Sequence, residues 1–437
     1  MQANFTVAVT GDSILNRRIS VYSEDRFLSL VKILRDADVA YTNLETLIHD
    51  YDGPELYPSA EGAFYYMRSP RFVADELKWA GFDMISTAGN HSLDYSYGGL
   101  FSTWKALDEA GLVHAGTGMD LAKAREPAYL DTANGRVALI SMCSSFAKGA
   151  RAGEVRRDAK GRPGLNPLRF YYKVDAKTLE IIKQLTFKLG WDVTEAGKTW
   201  LFFPAGTAMS YFRFEESDEP GITPVADEDD VEGNLQSIRD ARRHADYVLV
   251  HLHNHEEDPD KGLDTPAKFV PLFARICIDA GADVFIGQGS HAPLRGIEVY
   301  KNKPIFYDPG DIFGTSSTIT RFPADFYWRP GYDPEIRKWD ATPTDAINIR
   351  QRALLHRPFV PPPVEGAIVG ICSFQAGGLT EFKFYPVTLV TQHQTDSKFP
   401  ILADAETAKK ITERVAQLSV PFGTKIKFKD GMGVVKL

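Results

Sequence analysis

Ala88-Gly89-Asn90-His91-Ser92-Leu93-Asp94 is the stretch around which the chain is organised. A largely apolar run, Phe82 to Ile85, precedes it, and Gly98-Gly99 follows. The pattern reads as a buried strand, a tight turn and a helix. Open α/β sheets place their chemistry at such turns, beyond the C-terminal ends of strands. An Asn-His pair there can bind a metal, grip an anion or move a proton. It can also be structural, with Asn90 capping the next helix and His91 satisfied in the core.

The same alternation extends outward in both directions. Phe5 to Thr10 is a β-rich run ending in Gly11-Asp12-Ser13. The segment Asp25 to Ala37 carries Phe27, Leu30, Val31 and Leu34 at helical spacing. Val39 to Thr42 is a second strand, ending in Asn43-Leu44-Glu45, and Pro70 to Ala80 is a helix with Ser69 as its cap. Beyond the opening stretch come a helix from Gly99 to Ala110 and a strand from Val137 to Met142. Further on, strand Tyr247–His251 leads into Leu252-His253-Asn254-His255-Glu256. Helix Pro266–Ala280 follows, then strand Asp283–Ile286 ending in Gly287-Gln288-Gly289-Ser290-His291. A hairpin turns at Lys301-Asn302-Lys303 and ends in Asp308-Pro309-Gly310-Asp311. Two β-runs within Glu365 to Val390 and a helix from Glu406 to Ser419 complete the chain.

Residues 148–230 interrupt this frame with a basic, Gly-rich tract, an aromatic patch and an acidic run. They read as an insertion with a substrate-binding or lid role, because long insertions in compact domains are usually functional or disordered and aromatic content argues against disorder. One α/β domain then comprises 1–147 and 231–437. The region 321–363, rich in Pro, Trp, Tyr and Arg, reads as a lid or as a covering loop packed over the sheet edge, and the acidic run Asp227 to Glu232 as a solvated loop entering a helix.

Composition narrows the partners. The 437 residues are 43% hydrophobic and 25% charged, with a net charge of −8, which argues against a nucleic-acid partner. Cys143, Cys277 and Cys372 sit singly in apolar runs, without zinc spacing or a disulfide framework. The first residues lack a basic n-region and apolar h-region, and no apolar run reaches the roughly 18 residues of a membrane span. The expectation is a cytoplasmic protein without an integral membrane segment.

Polar residues recur at the predicted strand ends: Asp12, Glu45, Asn90-His91, His253 and His291. Their recurrence points to one site along a sheet edge. Asp12 and Glu45 can each be a base or a metal ligand; His253 and His291 can be ligands, acids or bases near neutral pH. His251, His253 and His255 are spaced by two, so a continuous strand would put all three imidazoles on one face. A turn beginning near Leu252 would scatter them, and on that expectation only His253 joins the site.

These motifs, with Lys303-Pro304-Ile305-Phe306-Tyr307 and Ala115-Gly116-Thr117-Gly118, occur in the order found in the CapA family of poly-γ-glutamate capsule synthesis-type proteins, which the chain resembles. That family is related to calcineurin-like metallophosphatases, and the resemblance covers roughly residues 5 to 315. It implies a four-layer α/β/β/α metallophosphatase-like sandwich of two mixed sheets, here with an inserted region and a C-terminal β extension. A two-metal site of that kind usually opens with Asp-x-His, and here the stretch is Asp12-Ser13-Ile14. Glu45 stands where a bridging Asp is usual, and the closing motif keeps His291 but has Gly289 in place of a second histidine. If a metal is present, the resemblance assigns Asp12, Glu45, Asn90, His253 and His291 to it.

The missing ligands favour a metal-free reading, with no cofactor. The chain is similar to the branch of the family that holds a metal-independent peptide epimerase of lasso-peptide biosynthesis. That resemblance makes Asp12 and His291 an acid/base pair facing each other across a cleft, acting at the α-carbon of a peptide or amino-acid-like substrate. Asn90, His91 and His253 would polarise the adjacent carbonyl, and Glu45 would orient a histidine. Arg17, Asn166, Arg169 and Arg295 are candidates for a substrate carboxylate, which Arg grips bidentately. The alternatives are a hydrolase of phosphoester or amide (γ-glutamyl) bonds dependent on Mn, Zn or Fe, and a capsule biosynthesis component.

Overall fold

A computed structural model describes residues 4–60, 65–204, 210–291, 294–314, 319–327, 340–343, 345, 366–375, 378–391 and 398–437. Two sheets make its frame. The first has ten strands, and its centre runs in the order Phe313–Gly314, Phe5–Ile14, Val39–Leu44, Met84–Ser86, Val113–Ala115. The second has six, in the order Ile297–Tyr300, Lys303–Phe306, Val284–Gln288, Tyr247–His253, Gly135–Cys143, Ala128–Thr132. Both are mixed: their central pairs are parallel, antiparallel hairpins close both edges of the second sheet and one edge of the first, and Val113–Ala115 ends the first sheet in parallel pairing.

Period-2 alternation along the strands divides the core into layers. Val7, Val9, Val39 and Tyr41 of the first sheet face Val137, Leu139, Leu249 and Ile286 of the second. On the outer side of the first sheet, Ala8, Ala40 and Ile85 meet Phe27, Leu30 and Leu34 of helix Asp25–Asp36 and Val73 and Leu77 of helix Phe72–Ala80. On the outer side of the second, Ala138, Ile140, Val248 and Val250 meet Ile238 of helix Glu228–His244 and Phe273 and Cys277 of helix Phe269–Ala280. Helix, sheet, sheet and helix are therefore stacked in four layers. All three cysteines are buried and unbridged.

Several local expectations change. Helix Phe72–Ala80 starts without a side-chain cap, because the Ser69 hydroxyl donates instead to the Leu15 carbonyl. The first strand runs on to Ile14, carrying Asp12 inside the sheet. The Tyr247–His253 strand also runs on, since Leu252 pairs with Met142 on one side and Gly287 on the other. Strands Phe170–Asp175, Asp192–Ala196, Thr199–Phe203, Phe212–Ser217 and Ile222–Ala226 form a separate five-stranded sheet, with Val174, Leu179 and Phe202 clustered and buried. The acidic run is not a solvated loop: Asp227 caps helix Glu228–His244, and buried Asp230 pairs with Arg125 and Arg169. In the C-terminal part, strands Ala367–Gln375 and Gly378–Thr391 join the first sheet, and Ile411 and Val415 of helix Ala405–Ser419 reach the inter-sheet core.

Of the lid region, Phe322 and Phe326 are buried against Ile14, Leu47 and Tyr95. Residues 328–339, 344 and 346–363 lie outside the described residues. No helix among the described residues is long and apolar enough to cross a membrane.

The strand edge that carries the polar motifs is held by one close backbone approach. A methyl group at Gly11 would lie 1.4 Å from the Gly310 carbonyl oxygen, and the Ile312 amide donates to the Asp12 carbonyl at 2.9 Å. Only glycine allows the loop carrying Asp308 and Asp311 to sit against the first strand. Gly11→Ala is therefore expected to destabilise the protein by at least about 3 kcal/mol, the upper end of ordinary overpacking. Urea unfolding followed by circular dichroism measures this.

Candidate functional site

The C-terminal strand ends of both sheets meet at one edge and bring their polar residues together. Asp12 is paired in register with Asn43 in the first sheet, and Glu45 follows one residue after Val39–Leu44. His253 ends its strand beside Gln288. His291 lies three residues past Val284–Gln288 in the left-handed region, with φ of 64°. For a non-glycine residue that conformation is strained and is commonly kept where function requires it. Asn90 and His91 occupy the turn after Met84–Ser86.

The centre of the cluster is a buried carboxylate. Glu45 is fully enclosed, and neither of its oxygens makes a hydrogen bond among the described residues. Its Oε1 lies 3.6 Å from His253 Nε2, 3.8 Å from His255 Nε2 and 3.5 Å from His291 Nε2. The His253 and His255 Nε2 atoms are 3.1 Å apart. On its other side, His291 Nδ1 lies 3.2 Å from Asp311 Oδ1 and 3.9 Å from Asp12 Oδ2. Asp12 is fully buried; the Asn43 amide donates to its Oδ1 at 2.7 Å, and its Oδ2 has no hydrogen bond among the described residues.

Charge burial sets the protonation of these groups. Burial, then the neighbouring Glu45 charge, pushes the Asp12 carboxyl well above the usual range. Burial raises Glu45 to about 7, opposed by His291 and His91. Burial alone would lower His291, but Glu45 and then Asp311 outweigh it and raise the ring well above the usual histidine range. His253 is held neutral by burial and then by neighbouring histidines. For His91, burial is outweighed by Asp94, 2.6 Å from its Nδ1, and the ring is raised.

A divalent cation fits this donor set. Buried carboxylates without partners cost several kcal/mol unless they take up a proton or a positive charge meets them. Here Glu45 Oε1 and Oε2 and Asp12 Oδ2 are such carboxylate oxygens, and the Asn90 amide oxygen likewise has no hydrogen bond among the described residues. Two triads have donor atoms within 4.8 Å of one another: Glu45, His255, His291 and Asp12, His291, Asp311. Oxygen and imidazole donors about 3–4 Å apart are what Zn²⁺, Mn²⁺ or Fe²⁺ sites use, given metal–ligand bonds of about 2.0–2.2 Å.

Asp12, Glu45, Asn90, His91, His253 and His291 thus belong to one edge, but two expectations change. Asp12 and His291 do not face each other across a cleft. Side by side at 3.9 Å, they leave no room for a substrate carbon between them, and of the two His291, 37% exposed, reaches solvent. His255 joins the cluster, against the expectation that a turn would carry it away, because the strand continues to His253 before the chain turns. His251 does not join: it is buried between the sheets, bonded to Ser141 at 2.8 Å, and burial pushes it down to about 3. Asp311 and Asn43 are further members; Asp311 is hidden in the sequence by turn-like Asp-Pro-Gly-Asp.

The substrate-carboxylate candidates are mostly structural. Arg295 is fully buried and donates to Asn254 Oδ1 and to the Leu263 and Glu256 carbonyls. Arg169 is held by Asp227 and Asp230. Asn166 donates to the Ser141 carbonyl and to Asn234. Arg17, half-buried, follows the first strand. Beside the cluster, a cavity of about 260 Å³ is lined by Asn90, Leu93, Asp94, Tyr97 and Ala150.

Known proteins resemble this chain over most of its length. The family described as bacterial capsule synthesis protein PGA_cap matches residues 6–315. The uncharacterized protein y4sH of Sinorhizobium fredii is 34% identical over 99% of this chain and 93% of its own length. The capsule biosynthesis protein CapA of Bacillus anthracis is 24% identical over 72% of this chain and 61% of its own. Among solved structures, a hypothetical protein from Thermus thermophilus aligns with a TM-score of 0.36 at 14% identity, covering 87% of this chain and 98% of its own.

Because burial raises the Glu45 carboxyl to about 7 and it has no hydrogen bond among the described residues, Glu45→Gln should stabilise metal-free protein above pH 7 by about 0.5–2 kcal/mol, the range of single stabilising substitutions. The same change should abolish any rise in melting temperature on adding Mn²⁺ or Zn²⁺. Differential scanning calorimetry with and without the cation reads both effects.

Proposed function

The chain belongs to the bacterial capsule synthesis protein (PGA_cap, CapA) family, and we propose that it is a divalent-metal hydrolase acting on an amide bond of a peptide- or amino-acid-like substrate. The observation that carries this reading is Glu45, whose Oε1 has three imidazole Nε2 atoms within 3.8 Å and no hydrogen bond among the described residues. Glu45, His255 and His291 would hold the cation, with Asp12 and Asp311 on the other side of His291. Held there, a divalent cation would supply Lewis-acid polarisation of the scissile bond and a lower pKa for water.

The remaining residues have separate tasks. Asp94 fixes the His91 ring through Nδ1, and Asp94 is itself held by the Met67 amide at 2.7 Å. Against burial, Asp94 raises the His91 ring, which suits it to proton donation to the leaving group. Asn43 holds Asp12 and lies 3.3 Å from His253 Nδ1. The cavity along Asn90 and Tyr97 would seat the substrate portion next to the scissile bond. The capsule role named for CapA of Bacillus anthracis favours an amide of the γ-glutamyl kind, with a phosphoester as the other bond class such a centre cleaves.

A second reading, a metal-free α-carbon epimerase, is favoured by one observation. His291 is 37% exposed and backed by the buried carboxylate of Asp12, the arrangement of a charged acid/base histidine. One set of measurements separates the two. For the hydrolase, purified protein carries at least one equivalent of divalent metal by elemental analysis. Chelation abolishes cleavage of γ-glutamyl anilides or p-nitrophenyl phosphate, and His91→Asn lowers kcat by about 10²–10⁴ while metal content stays. Deuterium incorporation at a peptide α-carbon by metal-free protein, lost in His291→Ala, would overturn it in favour of the epimerase.

A further inference from the structure

We infer that Gln288 is a positioning residue of the site: from the second sheet it holds the backbone bulge that turns Asp12 inward. The donors of the cluster come from two sheets, Asp12 and Glu45 from the strand ends of the first, His253, His255 and His291 from those of the second. Along the first strand, Val7 and Val9 face the second sheet and Ala8 faces away. Continued without interruption, that alternation would put residue 11 inward and send Asp12 to the helix-covered side. The register prevents this. Val9 pairs with Tyr41 and Asp12 with Asn43, so the first strand advances three residues where its neighbour advances two. Such a bulge re-aims the side chains beyond it. Asp12 therefore points inward, with Oδ1 3.9 Å from His253 Nδ1 and Oδ2 3.9 Å from His291 Nδ1.

Buried side chains bond both carbonyls of the bulge. The Thr42 hydroxyl, on the neighbouring strand, donates to the Gly11 carbonyl at 2.8 Å. Gln288 Nε2, on the opposite sheet, donates to the Thr10 carbonyl at 2.7 Å. The Tyr41 hydroxyl donates in turn to Gln288 Oε1 at 3.2 Å. Thr10, Tyr41 and Gln288 are all fully buried. Gln288 is in register with His253, and its own carbonyl accepts from the Asn254 amide at 2.6 Å. One side chain thus ties the strand end that bears the imidazoles to the bulge that bears Asp12. Val284 and Ile286, two and four residues earlier on the same face, are apolar and belong to the inter-sheet core. A hydrocarbon at 288 would continue that packing but leave the Thr10 carbonyl and the Tyr41 hydroxyl without these bonds. The amide is what the bulge requires.

The cation-binding part of the test rests on the metal-site reading above; the placement of Asp12 does not. Mn²⁺ is titrated into metal-depleted protein, with the free ion counted by electron paramagnetic resonance, and the variants are crystallised. Gln288→Met keeps much of the length and bulk and removes both bonds. It is expected to bind Mn²⁺ about 10–100-fold more weakly than wild type, the usual effect of losing a group that orients a ligand. Asp12→Asn should also weaken binding, and Gln288→Met/Asp12→Asn should bind no more weakly than Asp12→Asn alone, because Gln288 acts through Asp12. The crystal structure of Gln288→Met should show the Asp12 carboxylate withdrawn from His291. If the methionine variant does not fold, Gln288→Asn, which keeps the amide but falls one methylene short of Thr10, carries the same expectations. Wild-type affinity in the folded variant, losses that add in the double variant, or an unmoved Asp12 carboxylate would each overturn the positioning role and leave the metal site standing. Absence of Mn²⁺ binding by wild type would overturn the metal-site reading, and the crystal structures then decide the role: a displaced Asp12 upholds it and an unmoved one overturns it.

Discussion

The structure turns on two buried carboxylates. Asp12 and Glu45 are shut off from water where the strand ends of two sheets converge, and three of their four oxygens make no hydrogen bond among the described residues. In a folded core such groups take up a proton or are met by a positive charge close by. The His291 ring, with carboxylates at both nitrogens, is one such charge, and the gathered imidazole and carboxylate donors would suit a cation as another. Against burial, Glu45 and then Asp311 raise the His291 ring well above the usual histidine range, and its backbone lies in the left-handed region.

The surrounding scaffold keeps those carboxylates together. Gly11 lets the Asp308–Asp311 loop press on the first strand, so that Asp311 reaches His291. Asn43 ties Asp12 to the next strand. Arg295 commits its guanidinium to carbonyls and Asn254, fixing the turn that presents His255. The site is thus fastened by backbone contacts and fully enclosed polar groups, and side-chain repacking alone would not preserve it.

The frame is legible in the sequence because its signals are local. Alternating apolar residues in Phe5–Val9 and the helical spacing of Phe27, Leu30, Val31 and Leu34 are properties of short windows, and they match the layers they form. The polar strand ends are legible for the same reason. What escapes depends on distant partners. Arg169 resembles a free cation until Asp227 and Asp230, about sixty residues on, pair with it. Arg295 resembles a substrate clamp until buried carbonyls claim it. The turn expected near Leu252 is overridden by flanking strands that pair through His253, and that extension brings His255 into the site. The strands of the insertion escape because their residues are mostly half-exposed, without a clean alternation.

The central claim is that the buried carboxylates answer to a cation shared with the histidines. Anomalous X-ray diffraction from crystals grown with Mn²⁺, recorded with fluorescence identification of the element, tests it most directly. The account predicts an anomalous peak within bonding distance of Glu45, His255 and His291. Well-ordered side chains with no anomalous peak among Glu45, His255 and His291 at saturating Mn²⁺ would contradict it.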